Sequence, residues 1–237
     1  MKNLFDSFSH NKYRLTIFFL LAGATLMAVV LVRLRIADTD SPRYVFLVWN
    51  LGLAWIPFIM AYIMYTLPLS RRALLLVAPC GAFLWLIFFP NAPYILTDFQ
   101  HLSVPSDGFP VWYDVLLLIW ASFTGLFLGL ISLFLMQEIV QRTFGRWIGW
   151  GFVLVVTVLT GMGVYMGRFL RWNSWDLLAH FGGMAQFTLY YVLHPTPRSL
   201  VFAGLFVPFF LFVYLLLYAF GHLLLEQRSH EIEKVGE

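Results

Sequence analysis

Two pairs of carboxylate and imidazole side chains are the residues whose types and spacing best suit chemistry. Asp98 and His101 are three positions apart, so a helix would place them on one face. Asp176 and His180, four apart, would share a face in the same way. Together they can bind a divalent metal that activates water for hydrolysis, with Asp98, His101 and Asp176 as catalytic candidates. No stricter motif such as HExxH is present, and we favour wetted histidines and an Asp176 that stabilises a helix N-terminus.

Two arginines suggest a different kind of site. Arg168 and Arg171 carry guanidinium groups, which bind phosphate or carboxylate bidentately, and lipid headgroups and lipid-linked sugars carry such anions. The alternative is an ion pair with Asp98, Asp114 or Asp176, because an aspartate away from water is costly without a partner. We favour the ion pair slightly, and both interpretations hold if the pair also orders a pocket.

Further polar side chains complete a candidate binding region. Asn50 lies about 9 Å inside the second apolar stretch, at 1.5 Å per residue, so its amide should face protein rather than lipid. It either bonds backbone groups that nearby prolines leave free, which we favour, or lines the same pocket as the charged residues. The other members of the region are Asn91, Tyr94, Asp114 and Asn173.

The composition indicates a membrane protein. Hydrophobic residues make up 61% of the 237 residues and charged residues only 11%, against about 25% charged in a soluble domain. Apolar runs of about 20 residues predict an all-α bundle of about six transmembrane helices, in a single membrane domain over 1–237. The predicted spans are 15–34, 44–67, 73–89, 112–136, 147–167 and 199–225.

Two segments depart from simple membrane crossings. Pro90 and Pro93 disfavour a continuous helix, so the third span should end there and continue into a Pro-broken outer segment. Residues 174–193 are long enough to span, but they contain Asp176, two glycines and Gln186, and we predict a helix lying in the membrane interface. If this segment spans instead, there are seven helices and the C-terminal tail moves to the outside.

The distribution of lysine and arginine indicates the orientation. With the N-terminus inside, the inner segments hold nine of these residues and the outer loops hold six. This bias predicts cytoplasmic N- and C-termini. It places the loop after span three, the start of span four and the loop after span five on the outer face. Since most candidate site residues lie in these segments, the sequence predicts a polar vestibule there.

Several functional classes are disfavoured. The net charge of +3 comes from residues scattered in short loops, which form no stripe for binding nucleic acid. No GxxxxGK[ST] loop indicates a nucleotide site, and the span centres lack the ionisable groups of proton-coupled transporters. The bilayer is the predicted partner. Small-residue stripes, Gly125 with Gly129 and Gly163 with Gly167, permit a homo-oligomer or a membrane partner.

Three groups of residues resemble a known family. They are Trp49-Asn50-Leu51 with Ala54-Trp55-Ile56-Pro57, the segment from Pro90 to His101, and Gly167-Arg168-Phe169 with Asn173-Ser174-Trp175-Asp176. From about Tyr44 onward the chain resembles the bacterial membrane proteins grouped as domain of unknown function 1361. The resemblance implies a multi-helix protein of the bacterial inner membrane, and it implies no activity, cofactor or catalytic residue.

Two functional hypotheses follow from the sequence. In the first, the vestibule binds or processes an anionic envelope lipid or lipid-linked substrate. In the second, the chain is a non-catalytic structural or partner-binding membrane component whose buried ion pairs hold an irregular fold together. An enzyme requires an open cavity where carboxylate and imidazole converge within about 3 to 4 Å of one point. Structural ion pairs should instead be closed and fully paired.

Overall fold

The computed structural model describes residues 2–67, 71–103, 108–175, 182, 186, 189–190 and 193–236, with side chains at 13–67, 79–103, 108–175, 182, 186, 189–190 and 193–223. Within these residues six helical stretches are long and apolar enough to cross a membrane, and no strand is present. The predicted all-α membrane bundle is therefore confirmed. The predicted interfacial helix over 174–193 lies mostly outside the described residues.

The helices that position the site follow in chain order. They are α1 (Lys2–Thr39), α2 (Val45–Thr66), α3 (Arg71–Phe88), α4 (Asn91–Tyr94), a 3₁₀ helix (Ile95–Ser103), α5 (Val111–Phe144), α6 (Arg146–Phe169) and α7 (Pro197–Gly236). Only Gly145 separates α5 from α6, at a φ of 99° that glycine adopts far more readily than other residues.

Helices α1 and α5 continue beyond the predicted ends of the first and fourth spans. The second half of α1 has a buried face formed by Ala28, Val32 and Arg35, which packs into the bundle. The second half of α5 buries Gln137, whose side-chain oxygen accepts a hydrogen bond from the hydroxyl of Tyr214. The helices continue past the apolar runs, and the polar side chains of Arg35 and Gln137 form hydrogen bonds inside the protein.

The third span is interrupted where the prolines predict it. Helix α3 ends at Phe88, and α4 begins at Asn91, immediately after Pro90. After one turn of α4 the chain tightens into the 3₁₀ helix. Both short helices pack against α2 and α5, and α4 also packs against α6. We call these two helices the broken segment, and they lie within the bundle.

Small residues of α5 and α6 provide room for the broken segment. A Cβ atom added at Gly125 would lie 2.7 Å from the carbonyl oxygen of Ala92, and one at Gly129 would lie 3.1 Å from the Ala92 Cβ. A Cβ added at Gly163 would lie 2.7 Å from Cγ of Pro90. Gly125 and Gly129 therefore face the broken segment of their own chain, and Gly163 faces the proline that precedes it. Association with a second copy stays a prediction.

Helix α5 occupies the centre of the bundle, since it contacts α1, α2, α4, α6 and the 3₁₀ helix. One hydrophobic cluster joins α5 to α1, α2 and the broken segment. A second cluster joins it to α2, α3, α6 and α7. The broken segment is thus fixed from several sides, and its polar residues have a rigid support.

Candidate functional site

Several helix ends meet at one end of the bundle. Arg35, late in α1, contacts Asp114 in the first turn of α5, with 2.6 Å between Nε and Oδ1. Arg168, in the last turn of α6, contacts Asp98 in the 3₁₀ helix. The sequence predicts that the loop after span three, the start of span four and the loop after span five share a face, and the contacts of Asp98, Asp114 and Arg168 lie at this end.

Side chains satisfy the backbone at the break after α3. The amide nitrogen of Asn91 donates to the carbonyl of Phe88 and to the Ser174 hydroxyl, both at 2.8 Å. The Ser174 hydroxyl donates to the carbonyl one residue before Phe88, at 3.0 Å. The last carbonyls of a helix have no partner within the helix, and these side chains provide hydrogen-bond donors for two of them. Asn50, which the sequence favoured for this role, bonds Asp98 instead.

Asp98 is the centre of the first charged cluster. Its side chain is 1% exposed and forms an ion pair with Arg168, whose side chain is 6% exposed. The amide nitrogen of Asn50 donates to the other carboxylate oxygen at 3.1 Å. Arg168 is also fixed by a 2.7 Å bond from Nε to the Thr97 hydroxyl and by the Tyr94 ring, 4.2 Å from its guanidinium carbon. The ion pair that the sequence favoured is thus present.

His101 lies beside this carboxylate. Residues three apart are eclipsed in a 3₁₀ helix, and Nε2 of His101 is 4.0 Å from Oδ1 of Asp98. The imidazole packs against Phe46, with 4.5 Å between ring centres, and Arg43 donates to the His101 carbonyl at 2.6 Å. The side chain is 34% exposed. It can therefore exchange a proton with a bound molecule, while Asp98 is engaged by Arg168.

The metal hypothesis rests on residues that are only partly described. Asp98 and His101 come together, whereas Asp176 and His180 lie outside the described residues. Among the described side chains, no three His, Cys, Asp or Glu residues form a group suited to a metal ion. A zinc site usually has three or four protein ligands. A metal site and catalytic roles for Asp98, His101 and Asp176 therefore stay predictions.

Asp114 belongs to a second buried cluster. Arg35 donates to both of its carboxylate oxygens, at 2.6 and 3.2 Å, and the Tyr44 hydroxyl donates to it at 3.1 Å. The guanidinium carbon of Arg35 lies 4.7 Å from the centre of the Tyr44 ring. Burial, with a contribution from the Asp114 carboxylate, raises the pKa of Tyr44 to about 12. Asp114 is not among the residues that line the cavity described next.

A cavity of about 890 Å³ opens beside the first cluster, between α2, α3, the broken segment and the end of α6. Each residue that the sequence indicated for binding lines it, apart from Asp114. Its polar lining consists of Asn50, Asn91, Tyr94, Asp98, Gln100, His101, Arg168, Arg171, Asn173 and Ser174. Its apolar wall includes Leu53 on α2, Phe83 and Leu86 on α3, and Leu159 and Met162 on α6. The cavity is therefore polar at one end and apolar at the other.

Arg171 lines this cavity from the chain that follows α6. It is exposed, and its φ of 57° is in the left-handed region. Among the described residues it has no ion-pair or hydrogen-bonding partner. It differs in this from Arg168, whose charge is balanced by Asp98.

One comparison with known proteins gives a match, and the matched residues include most of the cavity lining. A family model described as protein of unknown function (DUF1361) matches residues 49–217. The chain belongs to the DUF1361 family. The resemblance that its sequence motifs indicated is confirmed. No curated protein and no solved structure matches the chain. The DUF1361 description names no activity, so function has to be argued from the geometry of the site.

Three residues that support the charged clusters of this DUF1361 member are not indicated by the sequence. The predicted spans 15–34 and 44–67 leave Arg35 and Arg43 in an outer loop and Tyr44 at its edge. Arg35 had a usable signal, since it continues the face of Ala28 and Val32 at helical spacing. The hydrogen bonds of Arg43 and Tyr44 join residues far apart in sequence, and no local pattern predicts them.

Proposed function

We propose that the cavity binds an anionic amphiphile, which is a lipid or lipid-linked molecule with a phosphate or carboxylate headgroup. The headgroup lies at Arg171 and the chain lies along the apolar wall. The observation that carries this proposal is the unpartnered guanidinium of Arg171, among the described residues, at the polar end of the cavity. A guanidinium group at one end and a hydrocarbon wall at the other match the two parts of such a molecule.

The backbone at Arg171 supports a binding role. Its left-handed conformation costs an L-residue about 1–2 kcal/mol, whereas glycine adopts it freely. A left-handed residue directly after the last turn is a common helix ending, usually occupied by glycine, and it fixes where the arginine side chain begins. Here the turn is fixed because the N–H groups of Leu170 and Trp172 both donate to the carbonyl of Met166, at 3.0 and 3.4 Å. The strained turn holds the arginine at the cavity.

The apolar wall is open towards the bilayer. Phe83 on α3 and Leu159 on α6 line the cavity and are 45% and 40% exposed. Both lie in stretches that are apolar enough to span the membrane. At 1.5 Å per residue, Leu159 lies about 14 Å along α6 from Arg168. A lipid chain can enter here from the bilayer while its headgroup stays at the polar end.

The Asp98–Arg168 pair has a supporting role in this proposal. Each side chain is neutralised by the other, Asn50 donates to the second oxygen of Asp98, and Nε of Arg168 donates to the Thr97 hydroxyl. The pair holds the 3₁₀ helix against α6 and so fixes the polar end of the cavity. His101 is then the titratable side chain placed beside a bound headgroup, and any processing of the ligand would involve its imidazole.

The proposal includes an orientation in the membrane. The lysine and arginine bias of the sequence favours cytoplasmic termini and a cavity at the outer face of a bacterial inner membrane. Arg14 and Arg142 contact the same tyrosine, Tyr65, near the opposite end of the bundle. In this orientation the ligand is an envelope lipid or a lipid-linked molecule of the outer leaflet.

A second candidate function is favoured by the closure of the charged clusters. Asp98 and Asp114 are both buried and both paired with arginine, as expected for charges that hold a fold together. In this function the chain is a non-catalytic structural or partner-binding membrane component, and the cavity binds no anionic amphiphile.

Ligand-dependent stability separates the two functions. Dodecyl phosphate is added to the detergent-purified protein, with dodecanol as the uncharged comparison, and thermal unfolding is followed. At about 100 times the Kd, a ligand that binds only the folded state adds about 2.7 kcal/mol to the free energy of unfolding. We expect dodecyl phosphate to stabilise the parent protein by about this amount, and dodecanol to stabilise it much less.

Two variants locate the effect. Arg171→Gly relieves the backbone strain, so it should keep the stability of the ligand-free protein while losing the response to dodecyl phosphate. Arg33→Gln removes an exposed arginine near the end of α1 that lies at the cavity end of the bundle. This variant should respond to dodecyl phosphate as the parent does. An equal response from all three chains, or from none, would overturn the proposal and favour the structural function.

A further inference from the structure

A separate groove lies at the opposite end of the bundle from the cavity. It has a volume of about 260 Å³ and is lined by residues of α1, α2 and α5. Arg14 lies at this end, and Arg35 lies at the cavity end of the same helix. At 1.5 Å per residue the two arginines are about 30 Å apart, which is the thickness of the hydrocarbon layer. The groove and the cavity therefore face different leaflets.

Among the described side chains, Arg14 carries the positive charge at this groove that no carboxylate balances. Its guanidinium carbon lies 5.0 Å from the centre of the Tyr65 ring, and that of Arg142 lies 4.7 Å from the same ring. Arg142 is paired with Glu138 at 3.2 Å and donates to the Tyr65 hydroxyl at 2.7 Å. Among the described side chains no carboxylate pairs with Arg14. Counted over the described side chains, this end of the groove therefore carries an excess positive charge.

We infer that this groove binds an anionic phospholipid of the adjoining leaflet, with its phosphate at Arg14 and one acyl chain along the groove. Ile17, Phe58 and Ile131 form apolar walls for the chain. The hydroxyl groups of Tyr62 and Tyr65 suit the level of the headgroups, where tyrosine is enriched. Basic pockets between transmembrane helices are recurrent sites for anionic headgroups. The inference does not rest on the function proposed for the cavity.

The dimensions of the groove favour a lipid chain over a protein helix. A helix with its side chains is about 10–12 Å wide and rises 5.4 Å per turn, so one turn occupies roughly 400 Å³ or more. The groove, at about 260 Å³, does not enclose one such turn. An acyl chain is narrower, and the phosphate supplies the negative charge that Arg14 lacks.

Native mass spectrometry of the detergent-purified protein tests the assignment. The probes are phosphatidylglycerol and phosphatidylcholine with identical acyl chains, and every chain carries Arg171→Gly to weaken any lipid contact at the cavity. We expect preferential retention of phosphatidylglycerol. Arg14→Gln should lower its affinity about tenfold, because a charge-assisted contact is lost. Ile17→Trp, which narrows the groove without changing its charge, should lower it comparably.

The matched control is Arg33→Gln, which removes an arginine from the other end of the same helix. It should leave phosphatidylglycerol retention unchanged. Equal retention of the two lipids, an unchanged affinity in Arg14→Gln, or the same loss in Arg33→Gln would overturn the assignment. A dimer that Ile17→Trp dissociates would also overturn it, because the groove would then be an interface between copies. Since the cavity is altered in every chain, a failure here leaves the cavity proposal standing.

Discussion

Asp98 stabilises the fold through a buried pair, so its replacement should be costly. Asp98→Asn leaves Arg168 buried without its carboxylate, and breaking a buried pair costs about 3–5 kcal/mol. Thermal or denaturant unfolding in detergent measures this loss. The double variant with Arg168→Gln should recover part of it, because the buried guanidinium is then gone.

An exposed ion pair gives the comparison for Asp98. Arg142 pairs with Glu138 on one face of α5, and its side chain is 61% exposed. Arg142→Gln should change the free energy of unfolding by less than about 1 kcal/mol. If Asp98→Asn is no more harmful than this variant, the carboxylate is not a structural partner of Arg168, and its burial would point to chemistry instead.

Tyr44 makes a pH-dependent contribution to stability. Its pKa is about 12 in the folded protein, against about 10 for an unperturbed tyrosine. The protonated hydroxyl therefore stabilises the fold below about pH 10, and this contribution is lost as the pH rises towards about 12. We expect Tyr44→Phe to lose less stability than the parent across this range. Parallel profiles for the two chains would contradict the raised pKa.

At the residue scale, the sequence predicted part of the site. A buried aspartate needs a partner, and that requirement predicts an ion pair between the arginines after span five and Asp98, Asp114 or Asp176, of which Arg168 with Asp98 is present. The same reasoning does not find Arg35 as the partner of Asp114, because the predicted first span ends at residue 34. A polar side chain that anchors a helix end cannot be told from one in a loop until the packing of the helix is known.

The position of the broken segment depends on glycines in α5, because a larger residue there would occupy its space. Gly125→Ala places a Cβ against the Ala92 carbonyl and Cδ1 of Ile95, both at 2.7 Å. Overpacking of this kind costs about 1–3 kcal/mol. We therefore expect a less stable protein, measured by unfolding in detergent, and a displaced 3₁₀ helix.

A matched glycine checks that expectation. A Cβ at Gly52, within α2, would meet nothing within 4 Å. Gly52→Ala should be neutral or stabilising by up to about 1 kcal/mol, since alanine is the better helix former. Equal destabilisation by the two substitutions would show that close packing at Gly125 is not the cause.

At the element scale, the apolar runs and Pro90 predicted the helices and the interruption, because both are local properties of the chain. The type of helix after Pro93 was not predictable. The 3₁₀ helix packs against α2 and α5, and its geometry decides how Asp98 and His101 align. The role of Gly125 was also not predictable, since the same small-residue pattern permits packing against the same chain or against a second copy.

For the whole molecule, the orientation is open to direct measurement. In a Cys80→Ser background, which removes the one cysteine of the sequence, we expect Asn173→Cys in intact cells to react with a membrane-impermeant maleimide. Arg146→Cys, at the start of α6, should react only after the cells are permeabilised. The reverse pattern would place the cavity at the cytoplasmic face and make its ligand a lipid of the inner leaflet.

Membership of the DUF1361 family and the six-helix architecture were both predictable from the sequence, because motifs and hydropathy are properties of local sequence. The amphipathic character of the cavity was not. It requires the apolar wall of α3 and α6 to lie beside the polar end, and that juxtaposition exists only in the assembled bundle.

The central claim is that an anionic headgroup lies at Arg171 while its chain lies along α3 and α6. Photo-crosslinking with an alkyl phosphate that carries a diazirine at the end of its chain, followed by peptide mapping, tests it most directly. The account predicts labelling near Phe83 and Leu159, strongly reduced in Arg171→Gly and retained in Arg33→Gln. Labelling that is unchanged in Arg171→Gly, or found only outside the cavity, would contradict it.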